Sequence, residues 1–201
     1  MNYFDVRVFY FLNHFAGTWP AFDRLMIFFA QDGPLVYAAL FVAAWFVLPR
    51  QEEVQRHALV MAALAGVLAL GVNYVFGLFW FRARPFVVLP AHTFTQLIPH
   101  APDSSFPSDH TAASFAFAAA SWGRTPRWIS WVFTVLAFAV MVARVFVGVH
   151  WPTDVLAAML IGIFSGRTII TWVSPLFQPL TNVGLRIFRY GHYALKSETN
   201  R

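Results

Sequence analysis

The chain has 201 residues, of which 59% are hydrophobic and 11% are charged, and it contains no cysteine. This composition excludes an ordinary soluble domain, and the lack of cysteine excludes disulfides and thiolate metal sites. Several apolar runs approach the roughly 20 residues needed to cross a bilayer, so we predict one all-α integral membrane domain. We expect no nucleic-acid partner despite the net charge of +5, because a cytoplasmic arginine excess explains that charge in a membrane protein.

About five transmembrane helices and one interfacial helix are predicted. Residues 1–31 form an interfacial N-terminal segment, in which the aromatic-rich stretch 3–15 lies on the membrane surface and 22–30 forms a short half-buried helix. Spans are predicted at residues 34–48, 57–81, 107–122, 127–147 and 152–173, and Pro34 begins the first of them. Counted from Ser108 to Trp122, the third span is about 22 Å long, shorter than the bilayer core of roughly 30 Å. A basic cytoplasmic tail, residues 174–201, follows.

A stripe of small residues, Ala158, Gly162 and Gly166, repeats at four-residue spacing in the fifth span. Small side chains let two helices approach closely. We expect the stripe to pack inside the monomer, with association into a homodimer as the alternative.

The charged residues divide unequally between the two faces of the membrane. Five spans place the chain ends on opposite sides, so that one face carries eight cations and three acids and the other carries five cations and six acids. Arg189, Lys196 and Arg201 of the tail belong to the first face. The positive-inside rule places that face in the cytoplasm, so the loops that carry the polar motifs face outward.

Three outward segments carry polar residues that are unusual in so apolar a chain. They are Arg84-Pro85, the run Pro107-Ser108-Asp109-His110, and Arg144, His150 and Asp154 at spacings of six and four. Guanidinium groups suit phosphate oxygens and stay charged at any working pH. Ser108 lies in the first turn of a predicted helix, where free backbone N–H groups favour an anion. Together these residues predict a phosphate site.

Two imidazoles can serve as nucleophile or proton donor. Asp154 lies one helical turn after His150 and is expected to accept its Nδ1–H, which leaves Nε2 free to attack. Asp109 neighbours His110 but should point to another face of the helix. We therefore assign His150 as the nucleophile and His110 as the proton donor.

Other candidate ligands receive no catalytic role. His92 and His100 lie in the long outward loop and are interpreted as solvent-exposed, with lining of the site entrance as the alternative. No carboxylate–histidine spacing indicates a divalent-metal site, so we expect no metal and no other cofactor.

The three motifs resemble those of the type 2 phosphatidic acid phosphatase family, relatives of the vanadium haloperoxidases. The likeness covers residues 57–173, which we take as the catalytic core. It implies a vanadium-haloperoxidase-like helical core in which Arg84, Ser108 and Arg144 bind phosphate. It also implies that His150 attacks the phosphate, that His110 protonates the leaving group and that Asp154 supports His150.

Two positions depart from the family pattern. Gly77 stands where the family has a lysine, and Ala143 stands where it has a serine before the arginine. Arg82 is a candidate replacement for the lysine, in a different register. The stretch 81–86 and the run 105–111, which includes Asp109, resemble bacterial undecaprenyl-pyrophosphate phosphatases of the bacitracin-resistance type. Arg82 and Asp109 therefore join the candidate phosphate-binding residues.

That resemblance implies an enzyme of the bacterial cell membrane, with its active site on the extracytoplasmic side. It would remove the terminal phosphate of a polyisoprenyl pyrophosphate, undecaprenyl pyrophosphate, through a phosphohistidine, and so recycle the cell-wall lipid carrier. A phosphatidylglycerophosphate or phosphatidate phosphatase with the same residues is one alternative. A transporter or lipid-binding protein that holds phosphate without chemistry is another.

Overall fold

The computed structural model describes residues 2–188, 190 and 191 of the chain. Within that range the regular structure is helical, without strands, as predicted. The helices are α1 (Tyr3–Asn13), α2 (Pro20–Val47), α3 (Glu53–Phe79), the single turn α4 (Pro85–Val88), α5 (Asp109–Ser121), α6 (Arg127–Phe146), α7 (Pro152–Thr168) and α8 (Gln178–Ile187). A π-helical segment, Ile169–Val173, and a 3₁₀ turn, Ser174–Phe177, join α7 to α8.

Four helical stretches of the described residues are long and apolar enough to cross a membrane. They are α2, α3, α6 and the continuous stretch Pro152–Ile187. The predicted third span, α5, has 13 residues and is about 20 Å long, shorter than a core of roughly 30 Å. It lies inside the bundle, packed on α3, α6 and α7, and runs in the same direction as α7, so the chain passes through the bundle five times.

The stripe of small residues brings α7 against α5. A Cβ atom on Gly166 would lie 2.6 Å from the Ala116 carbonyl oxygen and 2.8 Å from the Ala119 Cβ, and Gly162 meets α5 in the same way at Ala112. The stripe therefore packs inside the monomer, as the sequence predicts. Because α5 begins next to Ser108 and α7 next to His150, this contact sets the spacing between two of the three motifs.

The prediction that Pro34 begins a helix is wrong. The structure has one continuous helix from Pro20 to Val47, with Gly33 and Pro34 in its interior. A Cβ on Gly33 would lie 3.2 Å from Val140 Cγ2, so α2 runs close to α6 at this point. Tertiary packing thus keeps the helix continuous at Pro34, although a proline in a helix interior usually interrupts or kinks the helix.

The N-terminal helix α1 packs against the protein with one face and is exposed on the other. Tyr3 and Phe11 are exposed, whereas Phe9 is fully buried, with its ring centroid 5.4 Å from that of Trp151. The Asn13 amide donates to the carbonyl oxygens of Thr95 (2.7 Å) and Phe146 (2.8 Å). Therefore α1 ties the long loop to the end of α6.

The two ends of the described chain lie at opposite ends of the bundle. Helix α1 contacts the α6–α7 junction, whereas α8 contacts the beginning of α3, where His57 Nδ1 lies 2.7 Å from Thr181 Oγ1. Arg56, fully buried next to His57, donates to the carbonyl oxygens of Leu48 and Pro49, which follow the end of α2. The predicted tail is described over residues 174–188, 190 and 191, whereas Arg189, Lys196 and Arg201 lie outside the described residues.

Replacing Gly166 with alanine should destabilise the protein, because the new methyl group has no room against α5. Overpacking of this kind typically costs about 1–3 kcal/mol. We expect the thermal unfolding midpoint of Gly166→Ala in detergent to fall by several degrees. Gly71→Ala is the matched control, since a Cβ there meets no atom within 4 Å and alanine favours the helix. Equal midpoints for the two variants would contradict the close α5–α7 contact.

Candidate active site

His150 lies in the short connection between α6 and α7 and is almost completely buried. Its Nδ1 is 2.8 Å from the Ser105 carbonyl oxygen, which can only accept, so Nδ1 carries the proton. Its Nε2 is 3.2 Å from Arg144 Nη2 and 3.3 Å from Arg84 Nη1, which can only donate. The contacts therefore select the neutral tautomer with the lone pair on Nε2, facing two guanidinium groups.

The electrostatic surroundings keep this imidazole neutral. Burial holds the pKa of His150 well below its ordinary value, and the positive charges of Arg144 and Arg84 lower this pKa further. Its Nε2 is therefore unprotonated at neutral pH, as a nucleophilic imidazole requires.

Asp154 reaches His150 through Ser105, and the predicted direct hydrogen bond is wrong. Asp154 Oδ2 lies 3.7 Å from His150 Nδ1, beyond hydrogen-bond distance. This oxygen accepts from the Ser105 hydroxyl and, at 2.8 Å, from the Trp151 backbone N–H. Since the Ser105 carbonyl accepts the imidazole proton, Asp154 acts on His150 by fixing Ser105 and the first turn of α7.

Arg84 is held at the site by backbone and acidic partners. Its Nη1 donates to the Val149 carbonyl oxygen at 2.8 Å, and its Nε donates to Asp103 Oδ1 at 2.8 Å. The side chain of Arg84 is buried, whereas that of Asp103 is 61% exposed. Solvent screens the exposed carboxylate, so Asp103 only partly offsets the charge of Arg84.

Arg144, near the end of α6, depends on the proline in α2. Its Nη1 donates to the Ala30 carbonyl oxygen at 2.9 Å. In an α-helix that carbonyl would accept the backbone N–H of residue 34, but Pro34 has none. The Nε of Arg144 is buried and has no hydrogen-bond partner. The guanidinium thus retains donor capacity for an anion in a buried setting.

The beginning of α5 contributes a buried hydroxyl and an exposed acid. Ser108, the residue before the helix, is fully buried, and its Oγ accepts from Thr111 Oγ1 at 3.1 Å. Asp109 is exposed and accepts from the Asn73 amide at 2.9 Å. A carboxylate supplies no donor to an anion, so the geometry does not support phosphate binding by Asp109.

His110 is half-buried in the first turn of α5. With Asp109 it lines one part of a cavity of about 460 Å³ whose remaining walls are mostly apolar side chains of α2, α3, α5 and α6, among them Tyr37, Leu70 and Phe117. The imidazole of His110 thus borders an apolar space within the bundle.

A third imidazole, His100, contacts the site, so its interpretation as solvent-exposed is wrong and the alternative, that it lines the site, fits the structure better. His100 Nε2 lies 3.2 Å from Arg144 Nη2, and the ring centroids of His100 and His150 are 6.4 Å apart. Burial lowers the pKa of His100, and Arg84 and Arg144 lower it further. The position of His100 in a loop without periodicity gave no signal of this contact.

Arg82 does not replace the missing family lysine. Its guanidinium binds Asp5 on one side and Asp154 on the other, with an Nη1–Oδ1 distance of 2.6 Å to Asp154. Both partners are carboxylates, and one of them, Asp154, supports His150. Arg82 therefore binds the groups that support His150. At Gly77 an added Cβ would meet no atom within 4 Å, so the lysine position is open space.

The donor set at the centre suits an anion rather than a metal ion. Two guanidinium groups face the free nitrogen of His150, and positive groups repel a cation. Within the described residues, no group of three or more His, Cys, Asp or Glu side chains is arranged to hold a metal ion. A phosphoryl group fits the charge and the donor geometry.

Known proteins resemble this chain in sequence and structure. The profile of the PAP2 superfamily matches residues 56–178. The Bacillus subtilis (strain 168) undecaprenyl-diphosphatase BcrC is 34% identical over 94% of this chain and 92% of its own length. An undecaprenyl-diphosphatase of Sulfolobus acidocaldarius is 27% identical over 90% and 80%, respectively. The crystal structure of Aquifex aeolicus LpxE has the same fold, with a TM-score of 0.68 and 24% identity over 84% of this chain and 95% of that one.

Replacing Pro34 with alanine should weaken anion binding without destabilising the helix. The new backbone N–H would take the Ala30 carbonyl that now holds Arg144, while removal of a proline from a helix interior favours the helix. We expect the Kd for inorganic phosphate to rise about tenfold, the loss of one charge-assisted hydrogen bond, with an unchanged or higher unfolding midpoint.

Arg144→Lys shows how much phosphate affinity is lost when Arg144 itself is changed, because lysine keeps the charge but not the fork of donors. Arg24→Lys is the control, since Arg24 donates only to a carbonyl near the start of α2. Unchanged phosphate binding in Pro34→Ala, together with weakened binding in Arg144→Lys, would show that the proline does not position Arg144.

Proposed function

The chain belongs to the PAP2 superfamily, and we propose that it is an undecaprenyl-diphosphatase that removes the terminal phosphate of this lipid pyrophosphate. The observation that carries the proposal is the convergence of Arg84 and Arg144 on His150 Nε2. This constellation provides a nucleophile and the charge that a transferring phosphoryl group requires in one buried place.

In the first step, Arg84, Arg144 and the Ser108 hydroxyl bind the oxygens of the terminal phosphate. The two guanidinium groups turn from Nε2 to the phosphate, which exposes the lone pair of His150. A bond forms between Nε2 and phosphorus while the bond from phosphorus to the bridging oxygen breaks. The lipid monophosphate leaves with that electron pair.

In the second step, water attacks the phosphorus and the P–N bond breaks, which releases inorganic phosphate and returns the electron pair to Nε2. We assign His110 as the base that takes the proton of this water and as the acid toward the leaving oxygen. A phosphate monoester has a second pKa of about 6, so it leaves readily even without a proton. For a pyrophosphate, His110 therefore matters more in the second step than in the first.

The cavity beside His110 supports a lipid substrate. Its apolar walls come largely from α2, α3 and α6, which are long and apolar enough to cross a membrane, and Asp109 and His110 stand at its polar part. An isoprenoid segment next to the pyrophosphate fits such a space, because burial of apolar carbon is favourable by about 0.8 kcal/mol per methylene. The leaving group would then depart on the side where His110 stands.

We further propose that the site faces the extracytoplasmic side of a bacterial cell membrane. The arginine excess of the opposite face supports this orientation through the positive-inside rule. The docking of α1 against the α6–α7 junction supports placement of the N-terminus on the same side as the site.

The proposal predicts that the purified protein releases phosphate from undecaprenyl pyrophosphate in excess EDTA, since no step uses a metal. We expect slower turnover of phosphatidylglycerophosphate and phosphatidate, whose alkoxide leaving groups are far more basic. His150→Ala should abolish release from all three lipids, whereas the exposed His14→Ala should retain it.

Three outcomes would contradict the proposal in different ways. Preference for a lipid monophosphate would make the protein one of the alternative phosphatases. Activity that EDTA removes and magnesium restores would refute the metal-free route. Binding of the lipids without any phosphate release would identify a binder or transporter.

The orientation can be tested by cysteine labelling in intact bacterial cells, because the native chain has no cysteine. A cysteine at Ala101, an exposed position in the loop above the site, should react with an impermeant thiol reagent. A cysteine at Gln51, exposed between α2 and α3, should react only after the cells are opened. Labelling at Gln51 alone would place the site in the cytoplasm.

A further inference from the structure

The N-terminal helix lies outside the segment that matches the superfamily, yet it places a carboxylate close to the active centre. Asp5 on α1 is completely buried. Its Oδ1 accepts from the Thr153 backbone N–H at 2.8 Å, and its Oδ2 accepts from Thr153 Oγ1 at 2.8 Å and from Arg82 Nη2. An acid buried in this manner needs several donors to offset its lost hydration, and Asp5 has three.

Arg82 continues this chain of contacts toward the nucleophile. One end of its guanidinium binds Asp5 and the other binds Asp154. Asp154 in turn accepts from the Ser105 hydroxyl, and the Ser105 carbonyl holds the Nδ1–H of His150. A continuous path of hydrogen bonds therefore runs from α1 to the imidazole.

The charges along this path have a definite sign. Two carboxylates share one guanidinium, so the group carries a net negative charge on the Nδ1 side of His150, opposite the two arginines. When Nε2 forms a bond to phosphorus, the imidazole gains positive charge. A negative group behind the ring stabilises that charge, provided that it is held in place before the reaction.

We propose, on the basis of the function assigned above, that Asp5 is a positioning residue for the nucleophile. It fixes Arg82, and Arg82 fixes the Asp154 and Ser105 groups that orient and polarise His150. Helix α1 thereby forms part of the catalytic apparatus.

The alternative is that Asp5 only anchors α1. The two roles differ in what Asp5→Asn changes. An asparagine keeps the size of the side chain but removes its charge and turns an N–H group toward Thr153 or Arg82. Loss of an anchor lowers stability alone, whereas loss of a positioning residue lowers kcat in the folded enzyme and leaves KM nearly unchanged, because substrate is bound on the other side of His150.

The experiment measures kcat and KM on undecaprenyl pyrophosphate for the full chain and for Asp5→Asn, Asp154→Asn and the double variant. We expect kcat to fall at least tenfold in Asp5→Asn, with KM within about twofold. If Asp5 acts through Asp154, the double variant should be no slower than Asp154→Asn alone, because the effects of residues on one path are not additive. Asp23→Asn is the matched control, a buried acid at the start of α2 that caps the Gly17 N–H.

Folded Asp5→Asn with wild-type kcat would overturn the inference, as would losses that multiply in the double variant. If Asp5→Asn does not fold, the test uses Asp5→Ser, whose smaller side chain removes the charge but can still accept from the Thr153 backbone N–H, and the same fall in kcat is predicted. Wild-type kcat in that folded variant would also refute the positioning role. These outcomes are distinct from failure of the proposed function, in which the unmodified chain would release no phosphate.

Discussion

Two buried guanidinium groups that converge on one imidazole nitrogen are the constraint on which the rest of this structure depends. Arg84 and Arg144 both lie within 3.3 Å of His150 Nε2, where their like charges repel each other. Carbonyl oxygens of Val149 and Ala30 hold them in place, and the carboxylate that pairs with Arg84, that of Asp103, is largely exposed. The centre therefore has an excess of positive charge that a phosphoryl group can neutralise. Catalysis of phosphoryl transfer by such a site is largely a matter of positioning and preorganised charge.

The helical architecture could be predicted from the sequence because apolar length and helix-end signals are local. The bounds of α3, α6 and the beginning of α7 follow from such signals. Pro34 shows where local reasoning fails. Its ring favours the start of a helix, but packing of Gly33 on Val140 overrides that preference, and the carbonyl left without a partner becomes a ligand of Arg144. No rule of local propensity connects residue 34 with residue 144, because the contact joins two helices that are distant along the chain.

The order and spacing of the motifs predicted that Arg84, Arg144 and His150 would meet, but not which atoms would touch. Asp154 lies one turn from His150, as expected, yet the Ser105 hydroxyl takes the place that the direct hydrogen bond was expected to fill. Arg82 and Arg84 are two residues apart and would share a face in a regular extended strand. Instead one binds carboxylates and the other contacts His150, because the backbone between α3 and α4 is irregular. The position of His100 was unpredictable for the same reason, because this residue lies in a long loop of irregular backbone.

These contacts divide the surroundings of His150 into two sides of opposite charge. On the Nε2 side lie two arginines, His100 and the expected position of the phosphate, and on the Nδ1 side lie the Ser105 carbonyl and the pair of carboxylates bridged by Arg82. The cations draw the lone pair and the phosphate together, while the anions stabilise the positive charge that the ring gains on attack. Removal of Asp5 would leave Arg82 and Asp154 as a neutral pair, so the field across the ring would weaken although no atom in contact with His150 had changed. Helix α1, which lies outside the superfamily segment, can thus change the electrostatic field at an active centre whose residues all belong to that segment.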